Sequence, residues 1–335
     1  MGSLRRDETP GEGAAHPPAG LSRRAVLGGA GVLGVFAAWG GLPGCVAVTD
    51  CSLRPRSKAP PWRYSLAEWS LHRALQQGRL DHLDFPRHAR EVHGLEAVEY
   101  VNSFFKDKVG DGQYLLEMRR RALDVGVRSL LIMIDGEGKL AVADEAERRR
   151  AVDNHLRWFV AAASLGCDSI RLNLEGEGDE REWSLRASES LHTLGQLADP
   201  LRLNVLVENH GGPSSNGAWL AATLRAADHP RVGALPDFGN FRIAEGVTYD
   251  RYRGVAELMP FAKAVSAKSH DFDADGNEVH TDYRRMLRIV ADAGYRGWIG
   301  VEYEGPDPDE DAGIARTLHL LRTVEAEIAA EARAS

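Results

Sequence analysis

The sequence predicts a (β/α)8 TIM barrel, and three observations carry that prediction. Eight short apolar runs recur from Arg63 onward, with starts about 30–40 residues apart, the length of a strand–helix unit. Amphipathic stretches separate the runs. The whole series occupies residues 62–330 of 335, which suits a barrel of about 250 residues.

The runs are Arg63–Trp69, Leu95–Val101, Arg128–Ile134, Ser169–Leu174, Leu203–Val207, Val232–Pro236, Ala262–Ala267 and Trp298–Val301. Between them, Ala146–Leu165 is the clearest helix, with Val152, Leu156, Phe159 and Val160 on one face. Leu115–Leu123 and Tyr283–Ala291 show the same period. Gly94, Gly126, Gly166 and Gly294 each stand where a helix must stop before the next strand. The competing architecture is a doubly wound open sheet, which usually carries a glycine-rich phosphate loop after its first strand. Here that strand is followed by Ser70-Leu71-His72, and the barrel is preferred.

Residues 1–45 differ from the rest. Ser22-Arg23-Arg24 precedes a mild apolar run, Val26 to Leu42, rich in Gly and Ala. A charged segment before an apolar one is the signal-peptide pattern, and the arginine pair resembles a twin-arginine signal. Val26 and Gly28 depart from the usual motif residues there. This predicts export to the periplasm through the twin-arginine machinery. Leu42-Pro43-Gly44-Cys45 resembles a lipoprotein cleavage box, which would place a lipid anchor at Cys45. Residues 46–61, with Arg54-Pro55-Arg56 and Pro60-Pro61, read as an extended linker.

The formal net charge is −8, and the three cysteines show no metal-binding spacing. An acidic surface of this kind argues against nucleic acid as a partner, because phosphate binding needs clustered Lys and Arg. A homo-oligomer is compatible with the composition.

In a barrel, chemistry sits where the strands end at their C-termini. The fifth run ends Val207-Glu208-Asn209-His210-Gly211-Gly212, the sixth Pro236-Asp237-Phe238-Gly239-Asn240, the seventh Lys268-Ser269-His270-Asp271, and the eighth Val301-Glu302-Tyr303-Glu304-Gly305. Glu208, Asp237, His270 and Glu302 would converge with three negative charges, which a cation must offset. Three carboxylates and an imidazole suit one divalent ion, Mn²⁺ or Zn²⁺ first and Mg²⁺ or Co²⁺ next. Glu304 has the same strand parity as Glu302 and is the alternative ligand. His210 is either a substrate donor or a packing residue for the glycine turn. Lys268 either polarises a substrate oxygen or pairs with an acid. Asn173 and Glu175 end the fourth run, Glu99 the second and Asp135 the third; they are placed as substrate contacts or supports. Arg171 is placed as structural, and Trp69 and His72 as a wall near the first strand.

The order Glu, Asp, His, Glu on strands five to eight resembles the sugar isomerase and epimerase branch of the xylose-isomerase-like barrels. The segments around Glu208, Asp237 and Glu302, and Ala267-Lys268-Ser269-His270-Asp271-Phe272, carry the resemblance. It implies that the two Glu hold the metal and also move the substrate proton. Many members have the ligand His two residues before the lysine, where this chain has Ser266. Residues 266, 268 and 270 share strand parity, so His270 is expected to reach the metal from further along the strand.

The function expected on this basis is a metal-dependent sugar isomerase or epimerase. Glu208 and Glu302 would transfer protons through an enediolate. A keto-glycoside lyase using the same site by β-elimination is the alternative, and a non-catalytic sugar-binding lipoprotein a further one. The DNA-repair branch of this barrel needs more histidines, where this chain places Glu99, Asp135 and Asn240.

Overall fold

The computed structural model describes residues 62–307 and 309–334. The predicted signal peptide, the Cys45 box and the 46–61 linker lie outside these residues. Among the described residues, no helix is long and apolar enough to cross a membrane.

Among the described residues ten strands form: β1 (Arg63–Ala67), β2 (Ala97–Val101), β3 (Arg128–Ile134), β4 (Ser169–Asn173), β5 (Asn204–Glu208), β6 (Val232–Leu235), β7 (Arg242–Ala244), β8 (Val247–Thr248), β9 (Val265–Ser269) and β10 (Trp298–Tyr303). Eight of them pair in parallel in the order β6-β5-β4-β3-β2-β1-β10-β9. The seam between β6 and β9 is closed by bridges Ala234–Ala262 and Asp237–Ser266. There Ser266 N donates to Pro236 O at 3.0 Å and Phe238 N to Ser266 O at 3.1 Å. The sheet edge is thereby removed, and the expected barrel is present. The short hairpin β7–β8, inserted after β6, was not anticipated from the periodicity.

The helices are α1 (His72–Gln76), α2 (Phe85–His93), α3 (Gly112–Asp124), α4 (Glu145–Leu165), α5 (Glu180–Ala198), α6 (Gly217–Ala227), α7 (Arg251–Leu258), α8 (Tyr283–Asp292) and α9 (Glu310–Ala334). α4 starts where Asp144 accepts from Glu147 N at 3.0 Å, an N-cap that satisfies one free helix donor. It stops at Gly166, whose φ of 80° is left-handed, a conformation open to glycine without steric cost. Its buried face differs in part from the expected one. Val152 and Phe159 are buried as expected, but Val160 is 59% exposed and His155, Trp158 and Ala162 take its place. Those residues follow one stripe at spacings of three and four, whereas Val160 is rotated by about 100° from Phe159.

Two apolar regions follow from strand alternation. Outward residues such as Val98, Ile132, Ile170, Val205, Val265 and Val301 pack under the helices. Inward residues Ala67, Val101, Leu131, Met133, Leu206, Leu235 and Ala264 fill the barrel. Because side chains alternate, the inward set continues upward through Arg171, Glu208, Asp237, Lys268 and Glu302. This is why the polar groups share one end of the barrel.

Candidate active site at the barrel mouth

Glu208 is the last residue of β5 and is fully buried. Its Oε1 accepts from Asn240 Nδ2 at 2.8 Å. Its Oε2 lies 2.7 Å from Arg171 Nε without hydrogen-bond alignment. Asp237 follows β6 and is also fully buried. Its Oδ1 accepts from Gly239 N and Asn240 N at 2.8 and 2.7 Å, while Oδ2 has no hydrogen-bond partner. Glu302 on β10 accepts from Ser266 Oγ at 2.7 Å. One carboxylate oxygen from each of Glu208, Asp237 and Glu302 lies within 4.8 Å of the others. The strand ends thus bring three of the four expected ligands together.

His270 does not join this group. β9 ends at Ser269, so the alternation that puts Ser266 and Lys268 inward stops one residue short of it. Its backbone N–H turns to Glu278 Oε1 at 3.3 Å, and its ring packs edge-on against His280 at 5.8 Å between centroids. The position two residues before the lysine is filled by the Ser266 hydroxyl. Glu304 also lies beyond its strand. It is half-buried and reaches Lys268 Nζ at 3.2 Å, not the acid group.

The remaining expected residues divide by depth. Lys268 is buried, with Nζ 3.6 Å from Glu302 Oε1; it is paired with acids. Asn173 donates to Asp135 Oδ1 at 2.7 Å and accepts from Arg171 at 3.2 Å. His210 is exposed, and its backbone N–H donates to Ser214 Oγ at 3.1 Å. Glu99 lies inside the barrel with no exposure, accepting from Ser65 Oγ at 2.6 Å. Trp69 is half-buried, stacked on His72 at 4.8 Å and tilted against Phe104. Beside the acids, a cavity of about 370 Å³ is lined by Gly239, Arg251, Lys268, His270 and His280 among others.

Sequence reasoning passed over three contributors. Arg171 is not only structural: it stands at the Glu208 carboxylate and donates to Asp135 Oδ1 at 2.7 Å. Its parity with Asn173, two residues later on β4, was a usable signal. Asn209 accepts from Asp237 N at 2.8 Å and donates to Asp237 O at 3.1 Å, which fixes the strand end that carries the acid. Asn240 braces Glu208 and Asp237 together. No local signal marks these two asparagines, because their partners come from neighbouring strands.

The electrostatics follow from burial with few compensating charges. The buried ionisable groups here are four carboxyls, Glu99, Glu208, Asp237 and Glu302, against two cations, Arg171 and Lys268. Burial raises the Glu208 and Asp237 carboxyls above their ordinary range, and Arg171 and Lys268 respectively only partly counter it. Burial also acts to raise Glu302, but Lys268, Arg171 and the Ser266 hydroxyl outweigh it and hold the group low. Lys268 is raised despite its burial, because Glu302 and Asp237 stabilise the ammonium.

These observations bear on whether a metal fits. Asp237 Oδ2 is buried without a partner, and Glu208 Oε2 has only its unaligned ion contact with Arg171. Such groups are costly unless something satisfies them. Four buried carboxyls and two cations leave a local excess of negative charge that a dication would offset. The group Glu208, Asp237 and Glu302 therefore fits a divalent ion. Without His270 its donors are all oxygen, which suits Mn²⁺ or Mg²⁺ better than Zn²⁺.

Glu99 gives a pH-dependent expectation. Burial pushes its carboxyl up to about 7; the Ser65 hydrogen bond opposes this and the Glu302 charge adds to it. A carboxyl raised on folding contributes stability below its unfolded pKa, and loses it as pH rises through about 7. In metal-free protein, Glu99→Gln should therefore melt like wild type near pH 4. At pH 8 it should be more stable by up to about 3 kcal/mol. Thermal melts across this range check it; a constant difference would show that Glu99 does not titrate on folding.

A family model described as a xylose isomerase-like TIM barrel matches residues 87–324. The chain belongs to that family. Among solved structures, this xylose isomerase-like barrel is similar to a D-psicose 3-epimerase determined in the presence of D-fructose. The TM-score is 0.61 at 14% identity, over 78% of this chain and 99% of that one. It is also similar to a 3-keto-D-glucoside 4-epimerase from E. coli, with TM-score 0.57 and 16% identity, over 72% and 94%. At these identities the likeness is one of fold. Among curated proteins, it is 36% identical over 81 residues to the 3'-dehydrocarminate deglycosidase alpha subunit of a Microbacterium species. That match spans 22% of this chain and 23% of the relative.

Proposed function

We propose that the protein is a sugar isomerase or epimerase that moves a proton on the carbon beside a carbonyl. The observation that carries this reading is the pair of buried glutamates, Glu208 and Glu302, flanking Asp237 at the barrel mouth. They come from β5 and β10, with β6 and β9 between them, so they approach a bound sugar from two sides.

A divalent cation held by Glu208, Asp237 and Glu302, Mn²⁺ on the all-oxygen donor set, would supply Lewis acidity at the substrate carbonyl. The chain's own residues do the rest. One glutamate takes the proton from carbon, leaving an enediolate, and the other, protonated beforehand from solvent, returns a proton to the opposite face of that carbon, or to the neighbouring carbon as the hydroxyl proton shifts from one oxygen to the other. Lys268, held among Glu302 and Glu304, places a positive charge where the substrate oxygens enter. Arg171 holds the Glu208 carboxylate in position. Asn173 and His210 stand at the rim, where sugar hydroxyls would meet them.

The local likeness to a deglycosidase subunit favours a second reading, a keto-glycoside lyase. The first step is the same proton removal; the glycosidic oxygen then leaves from the adjacent carbon and would take a proton from solvent at the open rim, beside His210.

Incubation with ketoses and 3-keto-glycosides in deuterated water tests the proposal. The expected result is deuterium at the carbon beside the carbonyl together with an isomerised or epimerised sugar. Release of the aglycone instead supports the lyase. Turnover without deuterium points to a hydride shift and overturns the proton-transfer reading. Sugar binding with neither exchange nor turnover means a binding protein.

A further inference from the structure

A second group of ligand-type side chains lies outside the barrel mouth, between the first full helix after β1 and the last helix of the chain. His88 and His93 come from α2 and Asp311 from the first turn of α9. His88 Nε2 is 2.7 Å and His93 Nε2 2.8 Å from the same oxygen, Asp311 Oδ1. The two rings meet at 61° with centroids 5.6 Å apart. One donor atom from each of the three residues lies within 4.8 Å of the other two. None of the three is used by the site described above.

We propose that His88, His93 and Asp311 form a structural site for a transition-metal dication, with Zn²⁺ the best match. Two imidazoles and one carboxylate with a water in the fourth position are a known zinc donor set, met elsewhere at catalytic zinc. The mouth offers oxygen alone, so the two sites should prefer different metals. Without metal, one carboxylate oxygen must accept both ring N–H groups. With metal, each ring carries its proton on Nδ1 and turns the Nε2 lone pair inward, and no net proton is gained or lost by the imidazoles. The carboxylate then neutralises part of the ion's charge.

The access and support of the site fit this role. The His93 side chain is 3% exposed and held in the helix interface, whereas Asp311 is 42% exposed. The ion therefore has a rigid inner ligand and an open side for entry and a water. The ligands are far apart in sequence, 223 residues for His88 to Asp311 and 218 for His93 to Asp311. The strands preceding these helices, β1 and β10, are hydrogen-bonded neighbours. An ion at this point clips the first and last units of the barrel together, and because the three ligands meet only in the folded chain, its binding stabilises the native state by linkage.

Zinc binding to the full chain tests the proposal, with Asp237→Asn as the starting protein so that the mouth group is impaired. Zn²⁺ is added in excess, free ion is removed by gel filtration, and bound zinc and melting temperature are read. The expected result is one equivalent retained and a melting temperature raised by several degrees. Adding Asp311→Asn, or separately the half-buried His88→Asn, should abolish both the retained zinc and the shift. Unchanged zinc content and shift in both double variants would overturn the proposal, as would no retained zinc in Asp237→Asn alone. Melts without zinc check that the variants fold. Residual zinc common to all variants belongs to the barrel mouth, so failure of the mouth reading is distinguishable from failure here.

Discussion

Glu208→Gln and Glu302→Gln should each lower turnover by about 10²–10⁴-fold, the contribution general acid–base catalysis makes to a proton transfer. Glutamine keeps the shape of each side chain and one carbonyl oxygen. In Glu208→Gln that oxygen still accepts from Asn240 Nδ2, which now bonds Oε1 at 2.8 Å. In Glu302→Gln it still accepts from Ser266 Oγ. What each variant loses is the ability to take and return a proton. Steady-state turnover with whichever sugar reacts, and solvent deuterium incorporation into it, are the measurements. Loss of exchange along with turnover in both variants fits the two-glutamate scheme. Near-normal turnover in both would move the chemistry elsewhere, with Lys268 and His210 next to test. A variant that retains exchange but makes no product has lost only the return step, which would assign the two roles.

Metal at the mouth should depend on Asp237. Asp237→Ala removes the oxygen without a partner, Oδ2, but also the Oδ1 acceptor of Gly239 N and Asn240 N. Asp237→Asn is the cleaner change, since its amide oxygen can keep those two bonds while the charge is lost. Both variants should retain clearly less Mn²⁺ than wild type after desalting. Equal content would remove Asp237 from the ligand set. Binding only the folded chain, the ion should also add about 4 kcal/mol of stability at 1,000-fold excess over Kd. That shift is best read in Asp311→Asn protein, where the barrel mouth alone can respond. A melting temperature that neither added Mn²⁺ nor a chelator changes would argue against the mouth site.

Much of the architecture was legible in the sequence because it is local. Short apolar runs, helical stretches and glycine stops are set by residues within a few positions of one another, so eight units and their ends could be counted before any pairing was known. The placement of Glu208, Asp237 and Glu302 was legible for a related reason. Each closes an apolar run, and a barrel collects such closures at one mouth. The extrapolation to His270 failed because parity holds only while the strand continues, and β9 ends at Ser269.

The tertiary structure alone decided which groups neutralise which. Arg171 meets Glu208 from a neighbouring strand, Lys268 divides its charge between Glu302 and Glu304, and the side chains of Asn209 and Asn240 tie the end of β5 to that of β6 at Asp237 and Glu208. His88, His93 and Asp311 meet across more than two hundred residues of chain. No periodicity encodes such contacts. They arise when β4 pairs with β5, β9 with β10 and β10 with β1, because strand pairing brings residues together by strand order and not by distance along the sequence.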